Sequence, residues 1–382
     1  MSLVLLATLL YGAGPPPQYD LWIADPAWVK EPAFREWMDS SFVEPLNTIK
    51  GGIRGLTEKG EIFHVDPSGY WSKGSFRPLR LNGLDPGTPT NIGTFLLRDG
   101  RITTGGEGML NDFHAGSNFA KGVDQGGILT HGQGASFTDR CIVTAASPSG
   151  KFAGLLHTGD TDPRVLGQIG FPCRIVDGKA QRLPMPKNFK SLVLRPNVVS
   201  EAGIVLAETT DDVAWSMPMS VVWMPDNRLW TTRERFKLAG KSIVFNCVDG
   251  RGWFAGAKCS IASLSGDTEQ IELPIVWDGK RLVDLPMPAN GKRATVLDFF
   301  QGGYLGWVAD KGTFYGPMNG CLWKGGKAYR LRSLVKGFPD WEIGTVGAFN
   351  SKGQLAVNLR SKSLKNKAGE PVWRIGVLTP RP

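Results

Sequence analysis

The sequence predicts an all-β fold assembled from one four-stranded unit repeated along the chain, on three observations. The first is a recurring turn glycine between two short apolar runs. It stands at Gly60, Gly100, Gly150, Gly203, Gly252, Gly303 and Gly353, with successive spacings of 40, 50, 53, 49, 51 and 50 residues. The second is an aromatic in a neighbouring hairpin, at Trp71, Trp223, Trp277, Trp323 and Trp373. Cys173 holds the place in one unit, and no Trp stands in the unit around Ile128. The third is that no helical period of useful length runs between these hairpins.

Each unit reads as two hairpins. The stretch from Cys321 to Asn358 shows both, with tight turns at Lys324–Lys327 and Asn350–Gly353 between short apolar runs. Strands this short cannot bury their faces alone, so each unit must pack on its neighbours. A period near 50 residues with four short strands per unit is the pattern of a β-propeller. Seven anchors predict seven four-stranded antiparallel blades. Six is the alternative if the weak first or second unit is not a full blade.

The units WDGKRLVDLPM (Trp277–Met287) and AFNSKGQLAVN (Ala348–Asn358) carry the pattern best. They resemble the HAF-repeat family of predicted extracellular bacterial propellers, from about Gly150 onward. The resemblance implies the fold and a secreted or envelope setting. It implies no activity, because its motifs are structural.

Residues 1–18 are expected to be a signal or an N-terminal segment. MSLVLLATLLYGAG has an apolar core and small residues but lacks a basic n-region, so a cytoplasmic setting is the alternative. Residues 19–382 are expected to form a single propeller domain. Within it Phe34, Trp37, Met38 and Phe42 stand at helical spacing and predict a short helix over 31–45. The last unit ends at Trp373–Leu378 with too few residues for an outer hairpin, so Asp20–Ala24 is expected to complete it. Residues 1–49 carry a net −4 and residues 324–382 a net +9, charges that would meet where the ends join.

The least regular stretch is Gly105–Asp139, rich in Gly, Asn, Asp and Gln. Packing constrains regular blades, so departures from the repeat mark the places where binding residues gather. Asp112, His114 and His131 lie there, and His157 and Asp160 follow in the next unit. These five are the candidate ligand-binding residues, on a rim formed by the second and third blades. With Asp139 they could also build a metal or acid–base site, although their spacing matches no standard ligand motif. No catalytic residue is assigned.

The chain of 382 residues is 41% hydrophobic, enough for a large core, and its 49 Gly and 26 Pro suit many turns. The 13 Trp are expected to pack between blades, with Trp253 and Trp307, just after turn anchors, as possible ligand-stacking exceptions. The five cysteines form no C-x-x-C pair and are expected to be small buried strand residues. The net charge of +9 and pI near 9.3 favour an anionic partner, such as a protein or an acidic glycan. Nucleic acid is disfavoured for want of a recognition motif. No transmembrane run appears, and a monomer is expected. The chain lacks a dinucleotide fingerprint, a P-loop and a nucleophile elbow, so no cofactor is expected. Two functions remain: a non-catalytic secreted or envelope propeller that binds a protein or glycan, or a carbohydrate-active hydrolase or lyase working at the central mouth or that rim.

Overall fold

The computed structural model describes residues 16–30, 32, 52–65, 68–78, 95–98, 100–105, 117–121, 128–130, 140–157, 171–176, 179–187, 194–210, 218–264, 267–311, 317–366 and 369–382. The described residues are mostly strand, with little helix. Among the described residues, 28 strands form seven four-stranded antiparallel sheets.

Sheet I is β2 (Ile53–Leu56), β3 (Ile62–Val65), β4 (Ser68–Ser72) and β5 (Ser75–Pro78). Sheet II is β6 (Phe95–Leu96), β7 (Arg101–Gly105), β8 (Ser117–Lys121) and β9 (Ile128–Thr130). Sheet III is β10 (Arg140–Ala146), β11 (Phe152–His157), β12 (Phe171–Val176) and β13 (Lys179–Arg182). Sheet IV is β14 (Arg195–Val199), β15 (Val205–Thr210), β16 (Pro218–Trp223) and β17 (Leu229–Thr231). Sheet V is β18 (Ser242–Val248), β19 (Phe254–Leu264), β20 (Asp267–Trp277) and β21 (Leu282–Asp284). Sheet VI is β22 (Arg293–Phe300), β23 (Gly303–Ala309), β24 (Met318–Lys324) and β25 (Lys327–Arg330). In these six the strand order follows the chain.

Sheet VII departs from that rule. Its order is β26 (Trp341–Phe349), β27 (Leu355–Lys365), β28 (Pro371–Pro380) and then β1 (Tyr19–Ile23). The β1 strand pairs with β28 from Tyr19 opposite Pro380 to Ile23 opposite Gly376, as expected of Asp20–Ala24. The opposite charges of the two ends do meet: Arg381 Nε donates to Asp20 at 2.8 Å, on an exposed face where such a pair contributes little.

Neighbouring sheets pack in chain order, β2 on β6, β7 and β8 on β10, β10 on β14, β14 on β18, β18 on β22 and β24 on β26. Sheet VII packs on sheet I through β26 and β27 against β2. The core is a series of apolar clusters between neighbouring sheets, such as Ile204, Leu206, Val222, Phe245, Phe254 and Trp277 between sheets IV and V.

One turn joins the first two strands in five of the sheets. Its first residue is Thr57, Ser147, Ser200, Asp249 or Asn350, and its fourth is Gly60, Gly150, Gly203, Gly252 or Gly353. In each, the glycine amide donates to the first residue's carbonyl, and the first residue's amide donates to the carbonyl four residues on. The glycines have φ between +78° and +89°, the left-handed region that closes a three-residue hairpin loop. The side chain of the first residue accepts the amide four residues on, at 3.0–3.1 Å, in all five. Thr, Ser, Asp and Asn share one role here. Sheet VI instead makes a two-residue turn at Gln301 and Gly302, both at positive φ, and Gly303 is the first residue of β23.

The register also corrects two repeat positions. Trp71, Trp223, Trp277 and Trp323 each sit opposite the second residue beyond the turn glycine, namely Ile62, Val205, Phe254 and Tyr304. In sheet III that place belongs to Ile175, opposite Phe152, and in sheet VII to Leu378, opposite Leu355. Cys173, opposite Gly154, instead matches Cys321, opposite Gly306. Trp373 lies five residues before Leu378 and is half-buried.

Trp71, Trp223 and Trp323 are fully buried, and Trp277 nearly so. Two of them tie sheets together. The Trp223 indole donates to Pro184 O, and Trp323 to Pro286 O, both at 2.8 Å. Each proline follows a buried leucine, Leu183 or Leu285, whose amide continues the ladder of the preceding sheet. The residue corresponding to these prolines beside sheet I is Asp25, which follows Ala24. Its carbonyl accepts the Trp28 amide, and the Trp71 indole N–H is buried without a hydrogen-bond partner among the described residues. Further cross-links are Arg174, which donates to Met224 O, Pro225 O and Asn227, and the buried Arg293–Glu272 pair at 2.8 Å.

The connector from sheet IV to sheet V holds α1 (Thr232–Phe236). Thr231 Oγ1 accepts the Glu234 amide at 3.2 Å, and Glu234 accepts the Thr231 amide in return. The helix expected over 31–45 lies outside the described residues apart from Pro32, as do residues 1–15 of the N-terminal segment. Among the described residues no helix is long and apolar enough to cross a membrane.

Candidate functional site

The first strand of each sheet runs to its turn along one cavity of about 1390 Å³, lined by residues from all seven sheets. Six of these strands carry a bulge three residues before the last strand residue or turn start. The extra residues are Arg54, Thr144, Asn197, Asn246, Leu297 and Gly347. A bulge sets two residues against one and re-aims the side chain between them. All but Thr144 line the cavity.

Two of these side chains lock neighbouring sheets instead of facing a ligand. Thr144 Oγ1 donates to Pro196 O, and Asn246 Nδ2 donates to Val296 O and Thr295 Oγ1, both at 2.8 Å. Gly347 is small by necessity: a Cβ there would lie 2.6 Å from the Cβ of Ile53 in the next sheet. Asn197 is exposed into the cavity and its side chain makes no hydrogen bond among the described residues. Arg54 is a partly desolvated guanidinium, its pKa lowered by burial.

The turns form a rim whose acids are already engaged. Glu58 accepts the Ser351 hydroxyl at 2.6 Å and amide at 3.2 Å, which holds its pKa below the usual value. Glu201 joins three sheets by accepting Arg98 at 3.3 Å, Ser147 at 3.4 Å and Ser149. Asp249 accepts Arg251 Nε at 2.7 Å, and the guanidinium covers Trp253 at 4.1 Å.

Asp298 differs from all of these. It follows the bulge in β22, opposite Leu305, where other sheets place Gly55, Ala145, Val198, Cys247 and Ala348. Its carboxylate is open to water inside the cavity but enclosed by the surrounding sheets. Desolvation raises its pKa to about 7, against the opposing hydrogen bond from the Phe299 amide at 2.8 Å. A carboxyl that titrates near neutrality in a cleft marks a functional-site candidate. The cavity lining carries five acids and three bases, so the positive excess of the chain lies elsewhere.

Of the residues expected from the sequence, Asp112, His114, His131, Asp139 and Asp160 lie outside the described residues. His157 ends β11 opposite Arg140, at the far end of sheet III from its cavity-lining turn. His157 is thus the one expected residue among those described. Among the described residues no group of three or more His, Cys, Asp or Glu could hold a metal. Trp307 is buried, and the half-buried Trp253 packs on the core between sheets V and VI with the Arg251 guanidinium over its ring. Cys173, Cys247, Cys259 and Cys321 are buried free thiols, as expected. The signal that could have located Asp298 was a lone acid in a series of small or apolar residues just after the bulge. No protein-family model matches the chain, and no curated protein matches it.

Proposed function

We propose that the chain is a seven-bladed β-propeller, secreted or envelope-associated, that binds a glycan or protein ligand in its axial cavity. One observation carries the reading: a cavity of about 1390 Å³ receives side chains from the first strand or turn of every sheet. A concave site with a few convergent polar groups is the usual form of a ligand pocket. The contact of sheet VII with sheet I, and the N-terminal strand in sheet VII, support a closed ring around that axis. The resemblance to HAF-repeat propellers supports the secreted or envelope setting.

A glycan array and a peptide array probed with the full chain test the site. A binder whose affinity falls at least about tenfold in Asn197→Trp, which puts a bulky ring into the cavity, supports it. A binder unaffected by Asn197→Trp but lost in the combined His114→Ala, His131→Ala variant places the site in the Gly105–Asp139 stretch instead. The alternative of a carbohydrate-active hydrolase or lyase is favoured by Asp298, whose pKa near 7 suits proton transfer. Glycan turnover by the full chain that disappears in Asp298→Asn selects that alternative.

A further inference from the structure

We propose that the cavity recognises an organic cation, with the Asp298 carboxylate taking a primary ammonium and the Asn197 amide taking a second polar group of the same ligand. This rests on the reading of the cavity as a ligand site and names the chemical class that site accepts.

Hydrogen-bond supply and demand in the wall select the class. Glu58, Glu201 and Asp249 already hold donors from Ser351, Arg98 and Arg251, and Glu61 holds the Ser72 hydroxyl at 3.2 Å. Asp298 accepts one backbone amide and has no side-chain donor among the described residues, so most of its acceptor capacity faces the cavity. Asn197, from sheet IV, is another polar side chain of the wall with no hydrogen bond among the described residues, as is Gln301 at the turn of sheet VI. An ammonium supplies three donors to such acceptors, and a confined site strengthens the ion pair over its value in water. An anionic ligand finds less. Arg98 is held by Glu201 and Arg54 already has a partner, so of the three bases in the wall only Lys59, on the exposed turn of sheet I, is without an ion pair among the described residues. Phe95, Phe299 and Phe349 line the same space and suit the alkyl stem of a cation.

The titratable surroundings of Asp298 are few. From β18 comes the Cys247 thiol, kept protonated by burial, with Asp249 beyond it bound to Arg251. From β23 comes Leu305, and Arg54 reaches the cavity from β2. Asp298 is therefore the group whose titration controls cation binding between mildly acidic and mildly basic pH.

Isothermal titration of the full chain with spermidine, and with maltotriose as an uncharged control, tests this. At about pH 8 spermidine is expected to bind, with affinity at least about tenfold weaker at about pH 5.5 and at least about tenfold weaker at pH 8 in Asp298→Asn. Asn197→Ala is expected to weaken it severalfold. No binding at pH 8, or unchanged binding by a folded Asp298→Asn, overturns the cation assignment. If maltotriose then binds and Asn197→Trp blocks it, the cavity reading stands without the cation. If spermidine or maltotriose binds and Asn197→Trp alters neither, both readings fall together.

Discussion

The indole N–H of Trp323 in sheet VI donates at 2.8 Å to the carbonyl of Pro286, in the segment that leaves sheet V. Trp71 sits in the same register in sheet I with its N–H buried and unpaired. Phenylalanine removes the donor and a similar volume from both. Trp323→Phe also leaves the half-buried Pro286 carbonyl without its donor, so it is expected to cost about 1 kcal/mol more than Trp71→Phe. Trp323→Ala is expected to cost about 3–5 kcal/mol. Urea unfolding of the three variants checks this, and equal costs for the two phenylalanine variants would discount the clasp.

The buried pair of Arg293 and Glu272 joins sheets VI and V. Glu272→Gln leaves a buried guanidinium without its counter-charge and is expected to cost about 3–5 kcal/mol. Glu272→Gln and Arg293→Met together should cost less than Glu272→Gln alone, as a double-mutant comparison by thermal unfolding will show.

Asp298 holds its proton more tightly in the folded chain than in the unfolded one, with a pKa raised from 3.8 to about 7. Stability from this group therefore falls as pH rises from about 4 to about 7 and then levels. The cavity is wet, so the penalty is on the order of 1 kcal/mol and not the full value of the shift. Asp298→Asn should be more stable than the parent above about pH 7 and equal to it below about pH 4. Melting temperatures across pH decide it, and a parent that gains stability relative to the variant on the basic side would refute the sign.

At the shared turn, Ser200→Ala removes the acceptor for the Ile204 amide and is expected to cost about 1 kcal/mol. Ser200→Asn should be nearly neutral, since Asn350 fills the same role. Gly203→Ala forces a side chain into positive φ and should cost more than about 1 kcal/mol. Chemical denaturation of the three variants is the check.

Removal of residues 1–25 takes away β1 and exposes β28. It is expected to lower the melting temperature of the whole chain, because each sheet rests on its neighbours. A truncated chain with unchanged melting would show that β1 is dispensable. Arg381→Ala, which breaks only the exposed pair with Asp20, should shift stability by less than about 1 kcal/mol.

The hairpins were legible because turn glycines at positive φ and short apolar runs are local signals. The role of the N-terminal strand was legible from a count of strands, since the last unit lacked one. Register was less so. Trp373 and Cys173 fit the spacing, but spacing tolerates slips that cross-strand pairing does not, and Leu378 and Ile175 hold those places. The turn acceptors were hidden by residue identity. Thr57, Ser147, Ser200, Asp249 and Asn350 differ by letter and agree only in the hydrogen bond they accept. Asp298 was not legible because the repeat is carried by glycine and tryptophan, while the position after the bulge takes Gly55, Ala145, Val198, Cys247 or Ala348 in other sheets and shows no common letter.

The β1 strand has a kinetic consequence. Asp20 and its ion-pair partner Arg381 are 361 residues apart. A chain made from its N-terminal end carries β1 from the outset but cannot seat it until β28 has been synthesised. Throughout that interval Tyr19 and Leu21, both buried in the finished fold, have no sheet to enter. Loop-closure entropy grows only with the logarithm of that separation, so the wait costs little in final stability. It costs time, because so distant a pairing must be found by search. Sheet VII is thus the last to become complete, and until β1 is seated the bare edge of β28 is open to other molecules.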